Sequence, residues 1–169
     1  MNAVELKRFQ LLAELEDEER EAIVDVLEPV ELDARVELFA AGEQSEGLCF
    51  VAEGGVRVES ARVDGSALEL GPGAVLGALS LVSSGARETS AETTSRTRVY
   101  VLRRSSFRRF ADEAPRAACR LLEAILRDTA RLGREALMLA PELQERGRDA
   151  VVDPKRGRDT VVDPGRAAD

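Results

Sequence analysis

Hydrophobic and polar residues alternate with two different periods along the chain. Near the N-terminus, apolar residues recur every three or four positions as far as Leu15, and again as far as Leu27 after the acidic run at residues 16–21. This spacing predicts two amphipathic helices, because it places the apolar side chains on one face. The acidic start of the second helix complements its dipole. From Val30 the period falls to two, which is typical of half-buried strands.

Strand-length segments separated by turn residues continue as far as Leu102. Gly54-Gly55, Asp64-Gly65 and Gly71-Pro72-Gly73 mark turns, since these residues suit the backbone angles of tight turns. Short strands that recur about every eight to twelve residues indicate a β-barrel or jelly roll. We therefore expect an α+β fold that is mainly β. It is a double-stranded β-helix or jelly-roll barrel, flanked by N-terminal helices and a long C-terminal helix.

The long C-terminal helix is predicted from about Pro115 to about Ala140. Its stripe repeats at alternating spacings of four and three residues, and consists of Ala118, Leu122, Ile125, Thr129, Leu132, Ala136 and Leu139. Such a heptad pattern is typical of paired helices. Two interpretations stay open. The stripe packs on the chain's own barrel, or it forms the seam of a homodimer through Leu122, Ile125, Leu132 and Leu139.

The segment at residues 141–169 differs in kind, because it contains a tandem repeat. Residues 146–155 and 156–165 match at eight of ten positions. Each unit offers a core only one Val-Val pair, which is too little to offset the entropy lost when the backbone orders. We therefore expect one folded domain at residues 1–140 and a disordered tail at 141–169. The repeat is either a duplicated linker or a pair of motifs that docks multivalently on a partner.

Composition and charge exclude several classes of function. The chain has 24 Lys and Arg against 32 Asp and Glu, and its formal charge of -8 disfavours binding to nucleic acid. It contains no histidine, which removes His-based catalysis and His-ligated zinc. Cys49 and Cys119 form no CxxC pair. No signal peptide and no apolar segment of about eighteen residues is visible. We expect a cytoplasmic, non-enzymatic protein that binds no metal and no membrane.

One segment combines a glycine-led turn with a following arginine. Gly71-Pro72-Gly73 precedes Gly77-Ala78-Leu79-Ser80-Leu81, and Arg87 follows. Together with Gly42-Glu43 and residues 48–54, this segment resembles the cyclic nucleotide-binding domain family. That family includes the sensor domains of bacterial catabolite activator proteins and the regulatory subunits of cAMP-dependent protein kinase. The resemblance covers about residues 4–140, and the glycine-led segment resembles the family's phosphate-binding cassette.

The resemblance implies a site for the cyclic phosphate of cAMP or cGMP. The turn led by Gly77 would present the backbone amides of Leu79, Ser80 and Leu81, because a helix N-terminus attracts anions. Arg87 would add a charge-assisted contact. The long helix closes over the base in this family, which points to Thr129 or Arg131. The hydroxyl groups of Ser80, Thr89 and Ser90 would contact a ligand, or else serve only the turn and the strand.

Two departures from the family pattern indicate a partly degenerate site. Ala78 occupies the position of the glutamate that accepts from the ribose, and losing a hydrogen bond to a charged acceptor costs about 1.5–3 kcal/mol. Glu88 replaces the small residue after the arginine, where its carboxylate would repel a phosphate or pair with Arg87. We therefore expect no cofactor of family-typical affinity. The alternative is a genuine cAMP or cGMP receptor that signals through a partner protein.

The remaining features suggest a regulatory or adaptor protein that acts through a protein partner. The tail lacks a counterpart of the winged helix-turn-helix that follows this domain in transcription factors. A further alternative is a scaffold or cargo component directed by the tail. Thr160-Val161-Val162-Asp163 resembles ligands of phosphothreonine-binding forkhead-associated domains, so Thr160 and Asp163 are candidates for a phosphosite. The basic cluster is either a solvated face or a docking patch for an acidic partner, and comprises Arg103, Arg104, Arg108 and Arg109.

Overall fold

The computed structural model describes residues 2–60 and 67–151, and side chains as far as residue 138. The chain divides into two compact units, Met1–Asp128 and Thr129–Asp169. The predicted turn at Asp64-Gly65, the side chain of Leu139 and the candidate phosphosite lie outside the described residues. The domain boundary at residue 140 therefore stays a prediction.

The described residues form four α-helices, two 3-10 segments and eight strands. The helices are α1 (Ala3–Leu6), α2 (Asp17–Val24), α3 (Arg104–Glu113) and α4 (Pro115–Val151). The strands are β1 (Glu28–Leu32), β2 (Glu37–Phe39), β3 (Gly47–Glu53), β4 (Val56–Ser60), β5 (Ala67–Leu70), β6 (Val75–Leu76), β7 (Thr89–Thr93) and β8 (Thr97–Arg103). The 3-10 segments are Gln10–Leu12 and Ala78–Leu81. Among the described helices, none is both long and apolar enough to cross a lipid bilayer.

The strands form two antiparallel four-stranded sheets. Their orders are β1-β8-β3-β6 and β2-β7-β4-β5. Each sheet therefore mixes strands from distant parts of the chain, which is the connectivity expected of a jelly roll and not of a simple meander. The predicted mainly β fold, with N-terminal helices and a long C-terminal helix, is confirmed. The prediction of one N-terminal helix as far as Leu15 is wrong, because the helix α1 ends at Leu6 and a separate 3-10 segment follows.

Strand β3 lies between two hydrophobic clusters, and this explains its continuous apolar run. Because successive side chains on a strand face opposite sides, Leu48 and Phe50 belong to one cluster while Cys49 and Val51 belong to the other. The first cluster joins β3 to the helices, and the second fills the space between the sheets. A strand buried on both faces shows no alternation of polar and apolar residues.

The stripe on α4 packs partly on the chain's own core. Ile125 is 3% exposed within the first hydrophobic cluster, and Leu122 packs against the same cluster. In the second unit, Leu132 is 51% exposed. The first two residues of the proposed seam thus contact their own chain, and the homodimer through this helix stays a prediction.

Buried Arg20 holds the N-terminal helical segments together. Its guanidinium donates hydrogen bonds to the carbonyl oxygens of Leu12, at 3.3 Å, and Leu15. It also donates to the carboxylate of Asp17, and this hydrogen bond is the main reason why the pKa of Asp17 is lowered. The acidic run at residues 16–21 is therefore not a uniformly solvated surface, because one arginine inside it is buried and bonded to the chain.

Candidate ligand-binding site

A cavity of about 240 Å³ opens between the two sheets. Its walls come from β1, β3 and β8 of one sheet and from β2 of the other, with the loop at residues 43–46 at its mouth. Pockets that enclose drug-sized ligands are typically about 300–1,000 Å³. The cavity is therefore small for a ligand of that size.

The cavity has apolar walls and a charged rim. Its apolar lining consists of Val30, Leu32, Leu38, Phe39, Cys49 and Val101. The charged side chains that line it are Glu37, Glu43, Glu46, Arg87 and Arg103. Carboxylates thus outnumber guanidinium groups at this rim, which is an unfavourable balance for an anionic ligand.

The backbone of Arg87 is held by the loop that precedes β3. The Arg87 amide donates to the Glu43 carbonyl at 2.8 Å, and the Gly42 amide donates to the Arg87 carbonyl at 2.8 Å. Gly42 has a φ of +85°, a left-handed conformation that glycine adopts without steric cost. These pairings place the arginine at the cavity although it lies far along the chain from β2 and β3.

The Arg87 guanidinium contacts three separate segments. It lies over the Phe39 ring, 3.8 Å from the ring centroid, which is a cation–π geometry. Its Nη2 atom donates to the Gly47 carbonyl at 3.4 Å. Its Nη1 atom would lie 2.9 Å from a Cβ added at Gly77. A glycine at position 77 therefore leaves room for the arginine beside the turn.

The glycine-led segment forms a strand, a turn and a short helix. Gly77 has a φ of +71°, follows β6, and is the N-cap residue of the 3-10 segment. The Ser80 amide donates to the Gly77 carbonyl at 2.9 Å, so this predicted ligand donor is used within the turn. The Leu79 side chain is 52% exposed, whereas the Leu81 side chain is 4% exposed and belongs to the first hydrophobic cluster.

The predicted site residues do not all line the cavity. Arg87 lines the cavity, and Gly77 does not, although it lies beside the Arg87 guanidinium. Among the described residues, the cavity lining does not include the following predicted positions: Ala78, Leu79, Ser80, Leu81, Glu88, Thr89 and Ser90. Ser90 lines a separate groove beside Arg57 and Glu92. Thr129 and Arg131 belong to the second compact unit. The cassette therefore contributes to the cavity mainly through its arginine.

Arg104 is a structural residue of the cassette, whereas the sequence indicated it only as one member of a basic cluster. Its guanidinium donates to the carbonyl oxygen of Ser80 at 2.8 and 2.6 Å, to that of Ser83 at 2.6 Å, and to that of Ser45 at 3.0 Å. These bonds join the end of the 3-10 segment to the loop before β3. The interpretation of a merely solvated basic face is wrong for Arg104, and only its place in the arginine cluster singled it out in the sequence.

Two further groups define the electrostatics of the cavity wall. Cys49 is 5% exposed, and burial raises the pKa of its thiol while the nearby positive charges of Arg87 and Arg103 oppose the shift. Arg103 donates to Glu28 at 2.8 Å and to Glu46 at 3.4 Å, and the hydrogen bond to Glu28 raises the pKa of Arg103. Arg103 is thus already neutralised by carboxylates, whereas the described contacts of Arg87 are an aromatic ring and a carbonyl.

The described residues combine eight strands in two sheets, a glycine-led turn, and an arginine that lines the cavity between the sheets. This combination is typical of a class of small-ligand sensor domains. The family model for the cyclic nucleotide-binding domain matches residues 29–114, slightly more than half of the chain. The chain therefore belongs to the cyclic nucleotide-binding domain family, as the resemblance in the sequence implied.

Solved structures agree with this assignment. The N-terminal domain of a transcriptional regulator from Streptomyces coelicolor A3(2) is 26% identical, with a TM-score of 0.67, covering 78% of this chain and 94% of that chain. The catabolite activator protein of Thermus thermophilus is 25% identical, with a TM-score of 0.67 and 78% of this chain covered. A cyclic nucleotide-binding-like protein from Brucella abortus is 25% identical, with a TM-score of 0.56, covering 66% of this chain and 97% of that one.

These relatives differ in how much of their own length is matched. The chain spans 63% of the length of the Thermus thermophilus protein. A comparison with curated protein sequences gave no match.

Proposed function

We propose that the chain is a non-enzymatic regulatory protein whose cyclic nucleotide-binding-like domain is partly degenerate and acts through a protein partner. The family supports a regulatory sensor, and the lack of histidine in the sequence supports a role without catalysis. The proposal that the site is partly degenerate rests on the contacts that the Arg87 guanidinium already makes. Its guanidinium is stacked on Phe39 and bonded to Gly47, at a rim where carboxylates predominate.

Electrostatics disfavour a cyclic nucleotide at this rim. A cyclic phosphate carries one negative charge, and Arg103 is occupied by Glu28 and Glu46. Arg87 therefore remains as the cavity-lining cation that no described carboxylate neutralises. Two charges about 4 Å apart interact by about 1 kcal/mol in water and by about 4 kcal/mol at a protein surface of intermediate dielectric. Carboxylates close to a bound phosphate would offset much of what Arg87 contributes.

The residue at position 78 weakens the site independently. The resemblance implies a glutamate that accepts from the ribose, and Ala78 has no acceptor. The loss of about 1.5–3 kcal/mol corresponds to a roughly tenfold to hundredfold loss of affinity. This effect and the carboxylate rim act in the same direction.

Calorimetric titration tests the proposal with cAMP and cGMP against the full chain. We expect a dissociation constant of about 100 µM or higher. The missing acceptor alone weakens a micromolar affinity by up to about a hundredfold, and the carboxylates at the rim weaken it further. The variant Ala78→Glu should bind about tenfold to a hundredfold more tightly, while Ala78→Gln, which lacks the charge, should gain less.

The same titration distinguishes the alternative function. Micromolar binding by the unmodified chain that is lost in Arg87→Ala would contradict the degenerate site and would establish a genuine cyclic nucleotide receptor. Ala78→Glu combined with Arg87→Ala serves as the control, because an affinity gained without the arginine would not come from the cassette.

The decapeptide repeat favours a second role for the tail, as a docking segment for a scaffold or a partner. Two near-identical units raise the effective concentration of the second binding event once the first has formed. A chain that lacks residues 156–165, and so keeps one unit, should hold a tail-bound partner at least about tenfold more weakly than the full chain. Affinity capture compares these two chains with a chain lacking residues 141–169. Unchanged capture by the chain without the tail would contradict this role.

A further inference from the structure

A groove of about 450 Å³ lies at the start of α3. We name it the α3 groove, and its lining residues are Gln44, Ser45, Glu46, Arg103, Arg104, Ser105 and Arg108. Three of these seven residues are arginines and one is a glutamate. The groove shares Gln44, Glu46 and Arg103 with the wall of the cavity. The rest of its lining is Ser45, from the loop before β3, and Arg104, Ser105 and Arg108, from the first turns of α3.

The α3 groove holds two positive charges that no described carboxylate neutralises. Arg103 is paired with Glu28 and Glu46. Arg104 donates to backbone carbonyl oxygens, which are dipoles and leave its charge in place. Within residues 2–60 and 67–138, no carboxylate forms an ion pair with Arg104 or with the exposed Arg108. This local excess of positive charge occurs in a chain whose formal charge is -8.

The position of these arginines on the helix is electrostatically unfavourable for the chain alone. Arg104 and Arg108 are four residues apart, so they lie one turn apart on the same face of α3. The first turn of α3 contains no acidic residue, although the positive end of the helix dipole favours one there. A bound carboxylate would relieve both the like-charge repulsion and the unfavourable position relative to the dipole.

We propose that the α3 groove binds an acidic segment of a partner protein. Guanidinium groups one helical turn apart suit successive carboxylates, because each offers several donors in a planar fork. A nucleic acid is a poorer occupant, since its long row of phosphates would extend from the groove over an acidic protein. The groove adjoins the apolar cavity, but its two arginines without a carboxylate partner, Arg104 and Arg108, lie outside the cavity lining. The proposal therefore goes beyond the proposed function and holds whether or not a cyclic nucleotide binds.

Arg104 connects the α3 groove to the cassette. Its guanidinium holds the carbonyl oxygens of Ser80 and Ser83 at the end of the 3-10 segment. A carboxylate that docks on Arg104 competes for the same donors, so binding in the groove alters how firmly the segment is held. The Val82 and Ser83 amides, which donate to the Leu79 carbonyl at 3.1 and 2.9 Å, report this change through hydrogen exchange.

The test is fluorescence anisotropy of a fluorescein-labelled hexaglutamate peptide titrated with the full chain at low and at moderate salt. We expect saturable binding that weakens with salt, and we expect Arg108→Glu to weaken it at least about tenfold. The matched control is Arg109→Glu. It makes the same change in net charge one residue further along α3, at an exposed arginine that faces Glu113 outside the groove. This control should retain the affinity of the unmodified chain within about twofold, because Arg109 does not line the groove. The two variants have the same net charge, so a difference in affinity between them cannot come from the long-range field.

Each remaining outcome overturns the proposal. Equal weakening by the two variants means general electrostatic attraction, and no binding of the peptide at low salt means that the groove is no acidic-segment site. Tighter binding of a hexathymidylate than of the peptide identifies nucleic acid as the occupant. Sedimentation showing a dimer that Arg108→Glu dissociates identifies a second copy of this chain. Peptide binding should also change hydrogen exchange at Val82 and Ser83 in the unmodified chain. Exchange that stays constant there overturns the connection to the cassette.

Discussion

Gly54→Ala is expected to lower the free energy of unfolding by roughly 2–5 kcal/mol, which is a large part of the stability of a small domain. Gly54 lies between β3 and β4 with a φ of +80°, where an L side chain is strained. A Cβ there would lie 2.4 Å from the Arg96 carbonyl oxygen and 2.7 Å from the Thr97 Cα. Because both atoms belong to the backbone, no side-chain rotation relieves the clash.

The neighbourhood of Gly54 cannot easily shift to make room. The Thr97 hydroxyl is 2.5 Å from the added Cβ position. That hydroxyl oxygen lies 3.0 Å from the Gly55 carbonyl oxygen and 2.8 Å from the Ser95 carbonyl oxygen, which share its one hydrogen, and it accepts from the Gly55 amide at 3.2 Å. Thr97 is 1% exposed, so displacing it would also leave buried polar groups without partners.

Gly42→Ala is the matched control, because it shares the left-handed backbone but not the clash. Gly42 has a φ of +85°, and no heavy atom lies within 4 Å of an added Cβ. Gly42→Ala should therefore lower the free energy of unfolding only by the cost of the left-handed backbone, which is about 1–2 kcal/mol. Urea denaturation followed by circular dichroism measures both variants. Equal losses of stability in the two would show that space around Gly54 does not limit the substitution.

Phe50→Ala is expected to destabilise the chain by about 3–5 kcal/mol, as buried aromatic truncations do. Phe50 is fully buried on β3, and its ring meets the Phe9 ring edge-on, with centroids 5.0 Å apart at an interplanar angle of 68°. Removing it opens a cavity at the junction between the N-terminal helical segments and the barrel. Leu68→Ala, at a side chain that is 60% exposed, should change the stability by no more than about 0.5 kcal/mol.

A double-mutant cycle isolates the contact between the two rings. Phe9→Leu, Phe50→Leu and the combined variant keep most of the buried volume, so all three should remain folded. We expect a coupling energy of about 0.5–1.5 kcal/mol, which is typical of edge-to-face aromatic pairs. Strictly additive effects in thermal or urea denaturation would mean that Phe50 stabilises the domain by burial alone.

Some elements of this fold were predictable from local sequence and others were not. The apolar run at residues 48–52 was recognisable as a strand from its length and flanking glycines, and it is β3. The glycine-led turn was recognisable from its resemblance to the family's phosphate-binding cassette, and the structure gives Gly77 the left-handed backbone that few other residues adopt. The heptad stripe on α4 was ambiguous, since a helix face that packs on a barrel and one that packs on a second helix show the same spacing.

The candidate site was only partly predictable for a related reason. Arg87 was identified from its place after the turn, but nothing near it in the sequence indicates Phe39 as the ring beneath its guanidinium. Likewise Arg104 stood in a cluster of similar arginines, and only its position beside Ser45 and Ser80 distinguishes it. The excess of carboxylates at the cavity rim also required the structure, because its members come from separate strands and loops.

Spacing among residues close together in the chain was enough to predict the mainly β fold and its family, the helix α2 and the apolar strand β3. The helix that it predicted as far as Leu15 is instead the short α1 and a separate 3-10 segment. The tertiary structure alone decided which residues share a cavity, which arginine is neutralised, and which remains charged at the α3 groove. The physical reason is that antiparallel pairing brings together segments far apart in the chain. A single strand's pattern shows which face is buried, but it carries no information about which distant side chain will lie opposite.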